Sequence, residues 1–144
     1  MNAQEMWERY SARNNINADY QAWQFGSDPD ELARLVLKGI KTGTTGLHLW
    51  YGMEGLALPK AGEYSVILDS REEAVCIIKT TKVYVVPFSG VDEAHAFKEG
   101  EGDRSLAYWR KVHEDFFKSE LAEAGLIFEE NMEVVCEEFT RLFP

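Results

Sequence analysis

The sequence predicts an α+β domain in which helices pack around a small, barrel-like antiparallel sheet. Three observations predict it. Short β-rich runs follow one another from Tyr64 to Val86 with hairpin-length connections, the pattern of a meander and not of a parallel sheet with crossover helices. Two apolar helical stripes flank them, one over residues 28–38 and a longer one from about Asp103 to Ala124. The chain has 144 residues and is 45% apolar, one domain's worth with a core of its own.

Residues 1–25 read as short helical pieces. Met6, Trp7 and Tyr10 share one helical face, and Tyr20, Trp23 and Phe25 follow an Asn-rich break. Residues 1–21 are expected to form a helical extension packed on the main domain, residues 22–144, because so short a segment cannot bury a core alone. Next, Asp28 suits a helix cap, Pro29 the first helical position and Glu31 the capping-box partner. Leu32, Leu35 and Val36 form the apolar stripe, and Gly39 suits a left-handed end. The Gly- and Thr-rich stretch 40–46 then reads as a turn-like connection. Residues 64–68, 74–78 and 83–86 are the expected strands of the meander. In the long helix Leu106, Trp109, His113, Phe116, Phe117 and Leu121 form the buried stripe, Asp103 the cap and Gly125 the stop. Residues 132–139 return as a last strand.

Charge and targeting signals narrow the function. The net charge of −10 divides into −4 over residues 1–31, +2 over 32–90 and −8 over 91–144. Such a chain repels a phosphate backbone, so DNA is an improbable partner and any RNA contact falls to the middle third. An uncharged small ligand such as a nucleoside meets no such barrier. No apolar run is long enough to span a bilayer, Met1 to Tyr20 lacks the pattern of a signal peptide, and Cys76 and Cys136 form no disulfide framework or zinc knuckle. A reduced, cytoplasmic protein without membrane contact is the expectation.

The segment Gly39-Ile40-Lys41-Thr42-Gly43-Thr44-Thr45-Gly46 is not a phosphate loop, because its lysine precedes the second glycine and the segment leaves a helix instead of opening one. Lys41-x-x-Thr44 does place an amine beside a hydroxyl, and a lysine with its pKa lowered by burial can take a hydroxyl's proton. The competing reading is a solvated lysine beside turn threonines. In Glu99-Gly100-Glu101-Gly102-Asp103, Asp103 is the helix cap, leaving Glu99 or Glu101 free to project into a cleft and exchange a proton. Neither a metal nor a cofactor is expected, since an oxygen-only set with no clustered histidines would hold a hard ion weakly. His113 falls where a hydrogen-bonded core histidine belongs, with catalysis as the alternative. His48 and His95 have no nameable partners. Of the aromatics Trp50, Tyr51, Tyr108 and Trp109, mostly core, one or two near Lys41 are candidates to stack on a flat base.

The motif Gly39-Ile40-Lys41-Thr42-Gly43-Thr44 resembles the Gly-x-Lys-x-x-Thr signature of ASCH domains, relatives of the PUA fold. Trp23 to Gly26, Cys76 to Val83, Glu99 to Leu106, Trp109-Arg110, His113, Phe116-Phe117 and Val134 to Phe139 extend the resemblance, to a bacterial subfamily once filed as a domain of unknown function. It implies a PUA-like β-barrel with flanking helices and a cleft facing RNA or a modified nucleoside. Small bacterial ASCH proteins include hydrolases of N4-acetylcytidine that use a lysine, a threonine and a glutamate. Carried over, these are Lys41, Thr44 and Glu101, with Glu99 and His113 as alternates and Thr45, Trp50, Arg104 and Trp109 as ligand-binding candidates. Other ASCH proteins bind or cleave RNA, so the alternative is a noncatalytic module for single-stranded RNA or an RNA-cleaving protein.

Overall fold

A computed structural model describes residues 1–144. Its first element is a single helix, α1 (Ala3–Asn14), where short pieces are expected. The Asn2 side chain accepts from the Glu5 amide at 2.8 Å to start it, and Asn15, at φ 53°, ends it. Its Met6, Trp7 and Tyr10 pack against Val66 and Ile77 of the sheet. Tyr20–Trp23 is a strand, β1, and not the second helical piece expected there. It crosses the boundary drawn at residue 21 and pairs with the sheet.

Helix α2 (Pro29–Leu37) forms as its sequence dictates: Asp28 accepts from the Glu31 amide, Pro29 stands at the first position, and Leu32, Leu35 and Val36 are buried. The stretch expected as a turn is instead strand β2 (Gly43–Leu47), followed by a short helix, α3 (His48–Glu54). Strand β3 is Tyr64–Leu68. The two strands expected at 74–78 and 83–86 are one 14-residue strand, β4 (Ala74–Pro87), because a bulge between Thr80 and Lys82 carries the polar stretch through without a turn. A second short helix, α4 (Glu93–Glu99), precedes the long α5 (Leu106–Glu123), and β5 (Glu133–Phe143) closes the fold. Ser105, not Asp103, caps α5: its hydroxyl accepts from the Tyr108 amide, while Asp103 accepts from the Ser105 amide.

The strand order is β1-β3-β4-β5-β2, with β1 parallel to β3 and every other pair antiparallel. This corrects the expected barrel: the sheet is mixed and open. β1 and β2 do not hydrogen-bond to each other, and residues of both line one groove. The gap that would close a barrel is therefore a cavity. One core packs α2 against Ile67, Cys76, Ile78 and Phe139. A second packs α5 and Phe88 against Leu47, Val134 and Cys136. Burial pushes the Cys76 thiol up to about 12, so it behaves as a small hydrophobe.

Candidate active site

Lys41 leaves the end of α2 in a capping turn. Gly39 adopts φ 75°, and the Ile40 and Lys41 amides both donate to the Leu35 carbonyl. The turn sends the Lys41 side chain inward, where only 1% of the residue is exposed. A buried ammonium requires anions. Nζ donates to Glu99 Oε1 at 3.3 Å and to the Glu99 main-chain carbonyl at 3.4 Å, and Glu101 Oε2 stands 3.6 Å away. Both acids reach it because the chain reverses at Gly100, φ 76°, immediately after α4. A Cβ there would lie 2.7 Å from the Ile40 carbonyl oxygen, so the tight approach of the two segments requires glycine.

Glu99, also 1% exposed, is the centre of the cluster. Thr45 donates to its Oε2 at 2.7 Å, Trp109 Nε1–H donates to the same oxygen, and His95 Nε2 lies 3.1 Å from it. Oε1 receives Lys41 and lies 3.3 Å from His113 Nε2. Burial alone would raise the Glu99 carboxyl, but His113, Lys41 and His95 outweigh it and hold it well below the usual carboxylate range. The same pairing acts on the histidines. Burial opposes their protonation, yet Glu99 raises His113, and the Cys136 thiol together with Glu99 raises His95 to about 9. His113 Nδ1 is 2.9 Å from the Trp109 carbonyl. A carbonyl only accepts, so Nδ1 carries a proton and Nε2 is left to face the carboxylate. Glu101 differs: burial raises its carboxyl in spite of Lys41.

Strand alternation separates the two adjacent threonines. The Thr45 hydroxyl points toward α4, fixed between Glu99 and His95 Nε2, which is 2.7 Å away. Thr44 points to the other face of β2, where it is the cross-strand neighbour of Glu137, and its hydroxyl makes none of the hydrogen bonds that fix Thr45. Lys41, Thr44, Thr45, Glu99, Glu101 and His113 line one small cleft of about 40 Å³. It adjoins a groove of about 1030 Å³, the two sharing Phe25, Gly26, Thr44, Thr45 and Phe116. Trp23, Trp50, Tyr51 and Leu58 add apolar wall to the groove, and Glu54, Glu63, Glu120, Glu123 and Glu137 make it acidic against a single Lys60.

The structure thus gathers Lys41, Thr44, Glu99, Glu101 and His113 at one cleft and places Trp50 on the adjoining groove. Trp109 is 2% exposed and stacks on His113 with ring centroids 4.2 Å apart, so it orients the cluster without reaching a cavity. Arg104 lies outside both cavities. Its guanidinium donates to the Phe97 and Ile40 carbonyls and stacks 3.5 Å over the Phe97 ring, clamping the Glu99–Glu101 loop to the Lys41 segment. Sequence reasoning missed His95. The available signal was its spacing of four from Glu99, which puts both on one face once the segment is helical. Glu99, Glu101 and His113 have donor atoms within 4.8 Å of one another, the spacing a metal triad needs. The Lys41 ammonium already supplies the cation between the two carboxylates, so the donor set fits a divalent ion poorly.

A chain with this fold and this Lys41–Thr44 cluster belongs to the ASCH domain family, whose model matches residues 21–142. It is similar to the ASCH domain crystal structure from Lactobacillus crispatus, with 31% identity and a TM-score of 0.89 over 98% of this chain and 94% of that one. It is likewise similar to a DUF984 protein from Enterococcus faecalis, with 35% identity and a TM-score of 0.90 over 97% and 87% of the two chains. The hypothetical protein PH0355, at 16% identity and a TM-score of 0.56 over 85% of this chain and 98% of that one, shares the fold. No curated protein matches the chain. No helix is long and apolar enough to cross a membrane.

Proposed function

We propose that the protein hydrolyses the amide of an acylated cytosine nucleoside. The carrying observation is that a buried lysine, an unbonded threonine hydroxyl and two acids share a cleft that adjoins an aromatic groove roomy enough for a nucleoside. In this reading Thr44 attacks the acyl carbon. An ammonium cannot accept the Thr44 proton, so Lys41 first hands its own proton to Glu101, 3.6 Å away, whose carboxyl burial has raised. The neutral amine then takes the hydroxyl proton, and the acid delivers its proton to the departing ring amine. Water clears the acyl-threonine by the reverse sequence. Glu101 fits this part better than Glu99, because burial raises its carboxyl, whereas the cations around Glu99 hold it ionised and make it the anchor that positions Lys41.

Thr45 supports a second reading of the nucleophile. Its hydroxyl contacts both a histidine and a carboxylate, the arrangement that activates a hydroxyl. Thr44 is favoured because its oxygen is uncommitted and lies on the groove face. An RNA-binding role is disfavoured by the acidic groove and the net charge of −10. Incubation of the protein with a panel of acylated cytidines and a short single-stranded RNA, followed by mass, tests the proposal. Release of cytidine with intact RNA supports it, and RNA fragments with untouched acylcytidines refute it.

A further inference from the structure

Glu137 of β5 is the cross-strand neighbour of Thr44, so their side chains stand on the same face of the sheet, and both line the large groove. Only 8% of Glu137 is exposed, yet its carboxyl has no cation and no hydrogen-bond donor beside it. A buried polar group normally has a partner within the protein. One that lacks it, in the wall of a groove, is available to a ligand. We infer that Glu137 recognises the substrate by the donor–acceptor edge of an uncharged pyrimidine ring carrying no phosphate. The inference rests on the nucleoside reading above and names the part of the substrate that this wall reads.

A protonated carboxyl offers one O–H donor and one carbonyl acceptor side by side. The cytosine edge offers the complement, a ring nitrogen that accepts beside an amine N–H that donates. The uracil edge presents a donor and an acceptor in the reverse order, which the same carboxyl matches with its proton on the other oxygen, so Glu137 reads a pyrimidine edge of either order. Burial, with Glu63 repelling the charge, pushes the Glu137 carboxyl up to about 7, which leaves it largely protonated in mildly acidic solution. The other charged or titratable groups facing this part of the groove are Lys60, Tyr51, Glu54, Glu120 and Glu123. With Glu63 these make a predominantly acidic surround, which excludes a phosphate while leaving a neutral nucleoside unhindered.

The test is calorimetric binding of cytidine, uridine and cytidine monophosphate to the wild-type protein, Glu137→Gln and Glu137→Leu, at about pH 6 and about pH 8. Cytidine is already the product, so its binding is read independently of turnover. The wild type is expected to bind cytidine and uridine alike, to reject cytidine monophosphate, and to lose about tenfold in cytidine affinity at the higher pH, as the protonated fraction falls. Glutamine keeps a donor and an acceptor, so Glu137→Gln should hold cytidine within about threefold of wild type and lose the pH dependence. Glu137→Leu should weaken both cytidine and uridine about tenfold at the lower pH. Wild-type affinity in Glu137→Leu, retained pH dependence in Glu137→Gln, or no cytidine binding by the wild type would each overturn the inference. Turnover of acylcytidines without Glu137-dependent binding sinks only this inference. Glu137-dependent binding without turnover sinks only the hydrolase assignment.

Discussion

Glu99→Gln is the most informative perturbation of the cluster. It preserves volume and removes the one charge that Lys41, His95 and His113 all face. Removing one partner of a buried ion pair costs about 3–5 kcal/mol. The lower end is expected here, because Glu101 remains 3.6 Å from Lys41. For a chain of this size about 3 kcal/mol lowers Tm by roughly 10 °C. The pH dependence is equally specific. Folding raises His95 from 6.5 to about 9. Its contribution is therefore complete below pH 6.5 and lost as pH rises through about 9. At 1.36 kcal/mol per pH unit that is about 3 kcal/mol. Glu99 is held low, so its contribution is present above its ordinary value of 4.5 and lost as pH falls through the lowered one. Urea unfolding followed by tryptophan fluorescence should give the wild type a stability plateau in mildly acidic to neutral solution and a fall on the alkaline side. The glutamine variant should sit lower with much of that alkaline fall gone. Equal stability at neutral pH and an unchanged alkaline slope would refute the account of the cluster.

The two threonines should separate cleanly. Thr44→Ala removes a hydroxyl with no protein partner and should abolish turnover while leaving Tm within a degree or two, whereas Thr45→Ala should cost about 1–2 kcal/mol, measured by the same urea titration. Gly100→Ala places a Cβ 2.7 Å from the Ile40 carbonyl at φ 76° and should destabilise by about 2 kcal/mol or more, with loss of activity as the Glu99–Glu101 loop shifts. Affinity for single-stranded RNA, titrated at low and high salt, should be weak and steeply salt-dependent. Tight, salt-insensitive binding would show that stacking outweighs the phosphate contribution.

Much of the helical framework was legible because its signals are local. Asp28, Pro29 and Gly39 punctuate α2, and the stripe from Trp109 to Leu121 defines α5. What could not be read depends on contacts distant in sequence. Gly43–Leu47 has the composition of a turn and becomes a strand because β5 pairs with it. α3 has neither a side-chain cap nor a fully buried residue, so nothing in its sequence announces it. Sheet closure is likewise decided by strand order, here by β1 joining β3 in parallel, and no single segment encodes it. At the site, Lys41, Thr44, Glu99, Glu101 and His113 were all named as candidates, whereas the ranking of the two acids waited on geometry. Their loop turns at Gly100, and that turn puts Glu99 at the centre and Glu101 at the more exposed rim. Arg104, a ligand-binding candidate by sequence, donates to two backbone carbonyls and lies outside both cavities.

The central claim is that the Lys41–Thr44–Glu101 cleft is catalytic, and its most direct test is release of cytidine from N4-acetylcytidine by the wild type, Lys41→Met and Thr44→Ala. Methionine fills the lysine's space without its nitrogen, and circular dichroism checks that each variant is folded. The account predicts turnover by the wild type and a loss on the order of 10³-fold or more in both variants. A wild type that releases no cytidine, or a folded Thr44→Ala or Lys41→Met variant that turns over at the wild-type rate, would contradict it.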